Sequence, residues 1–197
     1  MTNFISIIIA SIILISIFLI YESKYSELIY VKSSIDGEEY LCRNREDKEK
    51  AADILATIKQ RLTAIVHYMR KNHSDDLSVK RLVQKFKPKQ ISESISGTKY
   101  TSYSVNKGEK IVFCIRSKTN EENLIDINTL MFVAIHELAH IMTKSIGHTS
   151  EFWSNMKILL KAGIRENLYV RQDFKSNPVP YCGTTITDSP LDVEEEA

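Results

Sequence analysis

The apolar and polar positions divide the chain into one continuous apolar run followed by a patterned remainder. Phe4 to Ile20 is 17 residues without a charge, Gly or Pro. As a helix it spans about 26 Å, enough for a bilayer core. Tyr21 and Tyr25 follow, where interfacial aromatics belong. No Lys or Arg precedes the run and no small-x-small site follows it, which favours an uncleaved anchor over a cleaved signal peptide.

Beyond the run, alternation and helical spacing take turns. Leu28 to Lys32 and Glu39 to Arg43 flank Asp36-Gly37 and predict a β-hairpin. Ala51, Leu55, Ile58, Leu62, Ile65 and Met69 recur at three and four, predicting a long helix over Asp47 to Lys71. A shorter helix is expected from Leu77 to Phe86, capped by Ser74 or Asp75, with Leu82, Val83 and Phe86 inward. A second hairpin is expected from Gly97 to Arg116, turning at Asn106 to Glu109. Its strand Ile111 to Ile115 is the candidate to border a cleft and pair with an extended peptide.

Lys118 to Asn123 reads as a polar loop leading to a second apolar helix, Leu130 to Met142. Asp126 or Asn128 can cap that helix, and Gly147 is placed to end it. A last helix follows a Thr149 or Ser150 cap, turns Phe152, Met156, Leu159 and Leu160 inward, and is expected to stop at Gly163. Tyr181-Cys182-Gly183 is expected to order against the core. The fold class is therefore α+β, with a small, mostly antiparallel sheet, preceded by one N-terminal transmembrane helix. Residues 1–27 are assigned to the anchor and juxtamembrane segment, 28–189 to the domain and 190–197 to an acidic flexible tail.

Net charge is +1, so no global field points to nucleic acid. The basic stretch Lys80 to Lys89 has no interleaved aromatics and reads as a solvated helix face. Cys42, Cys114 and Cys182 are odd in number and form no C-x-x-C, so free buried thiols are expected. Free thiols suit the cytosol. Lys24 and Lys32 after the run also place the domain on the cytosolic side. Asn72-His73-Ser74 is a glycosylation sequon that matters only if the domain is lumenal.

The chemistry concentrates at His136-Glu137-Leu138-Ala139-His140. On a helix, residues at i and i+4 leave one face, so both imidazoles can grip one metal ion. Of five histidines, three lie within 13 positions, and His148 just past Gly147 is the natural third ligand. Glu151 and Glu166 are the alternatives for that position, whereas His67 and His73 have no partner at ligand spacing. Three neutral imidazoles leave zinc an open position, the mark of a catalytic site. Glu137 is then the general base and acid of peptide hydrolysis, and Tyr181 or Tyr169 is the candidate oxyanion donor.

His136-Glu-Leu-Ala-His140, followed by Gly147-His148-Thr-Ser-Glu151-Phe152-Trp153, resembles the WLM and SprT-like zinc metallopeptidases. The resemblance covers about Leu130 to Leu160. It implies a zincin-like domain, Zn2+ held by His136, His140 and His148, Glu137 as acid/base, and a protein or peptide substrate. The layout also resembles membrane-anchored proteins of large DNA viruses. Better-known relatives clear proteins crosslinked to DNA. This chain departs from them in having an apolar anchor at residues 4–20 and no recognisable DNA-binding extension. Two other readings follow: a membrane-anchored binding or structural protein with a vestigial zinc site, and a protease acting on DNA-bound proteins.

Overall fold

The computed structural model describes residues 2–25, 27–98, 100–118 and 122–192. The apolar run lies in helix α1 (Thr2–Tyr25), and Phe4–Glu22 is long and apolar enough to cross a membrane, a property that signal sequences share. Its large apolar side chains from Phe4 to Tyr21 are exposed, and among the described residues nothing buries them.

Strands β1 (Leu28–Lys32) and β2 (Glu39–Arg43) form the expected hairpin, with Gly37 supplying the left-handed turn residue. Helix α2 (Lys48–Asn72) buries all six residues of the predicted stripe. Helix α3 (Leu77–Lys85) is capped one residue later than expected, by Asp76, whose carboxylate accepts from the amide of Ser78.

Strand β3 (Ile91–Glu93) has no counterpart in the sequence pattern. It enters between β2 and β5 (Lys110–Phe113), parallel to both, while β4 (Tyr103–Val105) pairs antiparallel with β5. The five-stranded order is β1-β2-β3-β5-β4, with antiparallel pairs at both edges and a parallel centre. This corrects the assignment of the cleft strand. Ile111 to Phe113 have partners on both sides and are buried, so their backbone is spent. The outer strand on that side is β4, and among the described residues no further strand pairs with its outer edge.

Helix α4 (Ile127–Met142) starts where expected: Asp126 accepts from the amides of Asn128 and Thr129. It ends five residues before Gly147. Its last carbonyls are met by distant side chains instead of a glycine turn, with Arg81 Nη1 donating to Met142 O at 2.6 Å. Helix α5 (Ser150–Arg165) is capped by Thr149 and runs through Gly163. That glycine does not stop the helix; it lets neighbours approach, since a Cβ there would lie 3.2 Å from Ile135 and 3.4 Å from Ile65. The left-handed residue after the helix is Asn167. The hydrophobic core lies between α2, α4, α5 and the inner face of the sheet.

A two-stranded sheet, β6 (Val179–Tyr181) with β7 (Thr184–Ile186), carries Tyr181-Cys182-Gly183 at its turn. Cys182 is disulfide-bonded to Cys114, which corrects the expectation of three free thiols. Their sequence separation of 68 gives no spacing signature, and the fold alone brings the β6–β7 turn to the end of β5. Cys42 remains a free, buried thiol that burial pushes up to about 12. Packing continues to Asp192, which accepts from the amide of Ser189 and pairs with Arg171. The rest of the expected tail, 193–197, and residues 119–121 of the expected polar loop lie outside the described residues.

Candidate metal centre

Helix α4 holds both motif histidines on one face, and the 143–149 loop returns His148 to them. The three ligand atoms lie within 4.8 Å of one another, and Nε2 of His148 is 3.0 Å from Nε2 of His136. Phe152, on the first turn of α5, forms the floor. Its ring centroid is 4.8, 4.4 and 4.7 Å from those of His136, His140 and His148. The apolar stripe of α5 announced Phe152 only as core; its contact with all three imidazoles depends on how α5 crosses α4.

The donor set fits zinc. Burial, aided by repulsion from His140 and His148, holds His136 down to about 3. Burial, with His148 and Lys107 adding to it, holds His140 down to about 4. Both rings are therefore neutral near pH 7, with a lone pair free for a borderline-soft cation, and exposed His148 completes a three-nitrogen set.

Glu137 is 5 % exposed. Burial pushes its carboxyl up to about 7, against hydrogen bonds from the amide and hydroxyl of Ser104 on β4. A carboxyl poised near neutrality can take and return a proton.

These groups line a cleft of about 540 Å³. One wall is Thr101 to Ser104, leading into and along β4; the other is Thr185 to Asp188, from β7 onward. Tyr181 also lines it, its hydroxyl 2.6 Å from Ser102 Oγ and donating to Cys114 O at 2.9 Å. Tyr169 is elsewhere: it is buried in the core beside Phe132, does not line the cleft, and is removed from the donor candidates.

Neither alternative ligand joins the histidines. Glu166 is the C-cap of α5. Glu151 turns its carboxylate to the amides of Lys144 and Ser145, which with the Ser145 hydroxyl hold it down to about 2. His67 and His73 are exposed on the far end of α2 and outside the cleft.

A mixed sheet backed by an H-E-x-x-H helix, with a third histidine returning from beyond the helix, defines a zincin-type domain. Residues 36–196 match the WLM domain, and the chain belongs to that family of zinc-type proteases. It is similar to uncharacterized protein R325 of Acanthamoeba polyphaga mimivirus, 36% identical over 97% of this chain and 100% of the relative. It is also similar to uncharacterized protein 136R of Invertebrate iridescent virus 6, 27% identical over 83% of this chain and 90% of the relative. Among solved structures, Wss1 from Saccharomyces cerevisiae superposes with a TM-score of 0.48 at 22% identity, covering 62% of this chain and 84% of that one.

Proposed function

We propose that this chain is a membrane-anchored zinc metallopeptidase that hydrolyses peptide bonds. The observation that carries the reading is the meeting of three imidazole nitrogens within 4.8 Å beside a buried carboxyl, at an open cleft. His136, His140 and His148 hold the metal. A zinc ion there supplies Lewis acidity, bringing the pKa of a water to about 7 and polarising the scissile carbonyl.

The remaining work falls to the chain. The substrate backbone adds to the open edge of β4, which fixes its register against the helix. Ser104 of that strand and Glu137 line the same cleft, so the general base and the docked peptide share one frame. Glu137 takes the proton from the attacking water and passes it to the leaving amine. Tyr181 is the oxyanion donor, turning its hydroxyl from Cys114 O toward the cleft when substrate is bound.

Residues 4–20 insert in a bilayer and keep hydrolysis near a membrane. Lys24 and Lys32 after the apolar run support a reading with the domain on the cytosolic side. A second reading places it in an oxidising compartment, and the Cys114–Cys182 bond favours that one. Sugar on Asn72 identifies the second reading, and a C-terminal tag digested only from the cytosolic side identifies the first. Action on DNA-bound proteins requires the exposed Lys80, Lys85, Lys87 and Lys89 to bind DNA with a steep salt dependence, and Arg81 is already engaged with α4.

The direct test is zinc content of the full chain in detergent beside His148→Ala, with peptide hydrolysis followed through chelation and zinc return. The reading expects zinc in the parent, a large loss in the variant, and activity that follows the metal. A folded parent without zinc supports the membrane-anchored binding protein instead.

A further inference from the structure

The three carbonyls that follow the metal helix converge on one ammonium. Lys107 Nζ donates to Thr143 O, Lys144 O and Ser145 O at 2.8, 2.7 and 2.7 Å. An ammonium has three donors, so all are used. The same segment is gripped through its amides. Lys144 N and Ser145 N donate to Glu151 at 3.0 and 3.2 Å, and Ser145 Oγ adds a bond at 2.9 Å. Opposite charges from two separate elements thus hold opposite polar groups of one short backbone stretch. That stretch joins His140 to His148.

Beyond that stretch the loop is tied again at Thr149, whose hydroxyl lies 2.7 Å from Ser145 Oγ, and residues 146 and 147 between them are open. Ile146 is 90 % exposed, and Gly147 has nothing within 4 Å of where a Cβ would stand. The backbone of Lys107 points the same way. Asn106 and Lys107 occupy the two central positions of the β4–β5 turn with φ of 47° and 53°, closed by Gly108 N to Val105 O at 3.1 Å. Glycine or asparagine is the ordinary residue at the second of these positions. A lysine held in the left-handed region there carries a backbone cost, and its side chain makes three hydrogen bonds in return.

We propose that Lys107 and Glu151 clamp residues 143–145 and so preset His148 for the metal, which makes Lys107 a positioning residue of the zinc site. The proposal rests on the three-histidine zinc reading. Because Lys107 stands at the tip of the hairpin that contains β4, the strand proposed to dock substrate and the loop proposed to deliver the third ligand are one mechanical unit.

The test is zinc affinity of the full chain in detergent, by competition with a chromogenic chelator. It compares the parent with Lys107→Met, Lys107→Gly, Lys107→Arg, His148→Ala and Lys107→Met/His148→Ala. Lys107→Gly suits the turn backbone, so it separates the clamp from the hairpin. Loss of a partner outside the ligand shell costs roughly 10–100-fold in metal affinity. That loss is expected in both Met and Gly variants, with substantial recovery in Arg. Against His148→Ala the Met substitution should cost nothing further, because its effect passes through that ligand. The visible spectrum of cobalt-loaded Lys107→Met should move toward that of His148→Ala. Unchanged affinity in Lys107→Met and Lys107→Gly beside a weakened His148→Ala overturns the clamp alone. An equal loss with and without His148 also overturns it, since Lys107 then acts on the fold at large. A parent without zinc, or His148→Ala with full affinity, overturns the metal reading and the clamp together.

Discussion

Replacing Arg116 with Met should be among the most damaging single changes outside the cleft. Arg116 is 4 % exposed and Glu93 1 %. Arg116 Nε donates to Glu93 Oε1 at 2.7 Å and Nη1 to Asp47 Oδ2 at 2.7 Å, while Glu93 Oε2 accepts from Arg43 N at 2.7 Å. The pair therefore joins β3, β2, the start of α2 and the segment after Cys114. Methionine keeps the length but strands the Glu93 carboxylate in the interior with one amide. Breaking a buried ion pair from one side costs about 3–5 kcal/mol. For a domain of this size that is roughly 6–20 °C in Tm. Glu93→Gln in the same chain removes the stranded charge, so the double variant should cost about 1 kcal/mol or more less than the sum of the singles. Urea denaturation of the full chain in detergent, followed by far-ultraviolet circular dichroism, measures all four corners. A cost below about 1 kcal/mol for Arg116→Met, or strict additivity, refutes the argument that the pair is buried and coupled.

Three further outcomes follow from the same structure. Reducing the Cys114–Cys182 bond opens a 68-residue loop and should lower stability by about 4 kcal/mol on chain-entropy grounds; thiol titration of the denatured chain should find one free cysteine before reduction and three after. Phe152→Ala should cost about 3–5 kcal/mol, since the ring is fully buried, and should also weaken zinc binding because all three imidazoles rest on it; unfolding and chelator competition measure the two effects separately. The folded-state pKa of Glu137 is raised above its unfolded value, so its burial costs nothing at low pH and destabilises the fold as pH rises from 4.5 toward about 7; Glu137→Gln should therefore stabilise the zinc-free chain more at pH 8 than at pH 5 in urea titrations.

What the sequence made legible was local or periodic. The α2 stripe, the hairpin around Asp36-Gly37 and the H-E-x-x-H face follow from residue spacing, and they appear as expected. What it hid depends on partners far along the chain. Strand β3 is three residues with a glutamate turned inward, and Arg116 with the amide of Arg43 makes that placement tolerable. Helix α4 stops at Met142, where Arg81 donates to its last carbonyl and Lys107 to the carbonyl of Thr143 just beyond it, both from elements before the helix, and Gly147 lies in the loop instead. Glu151 has the chemistry of a ligand, yet the amides of Lys144 and Ser145 claim it. The disulfide and the role of Phe152 arise from packing, which no periodicity encodes.

The central claim is that Glu137 moves the proton while the three histidines hold the metal. Its most direct test measures zinc content and peptide hydrolysis together, in the full chain and in Glu137→Gln. The account predicts about one zinc per chain in both, with hydrolysis falling by roughly 10²–10⁴-fold in the variant. Hydrolysis that survives the substitution with zinc in place would contradict it.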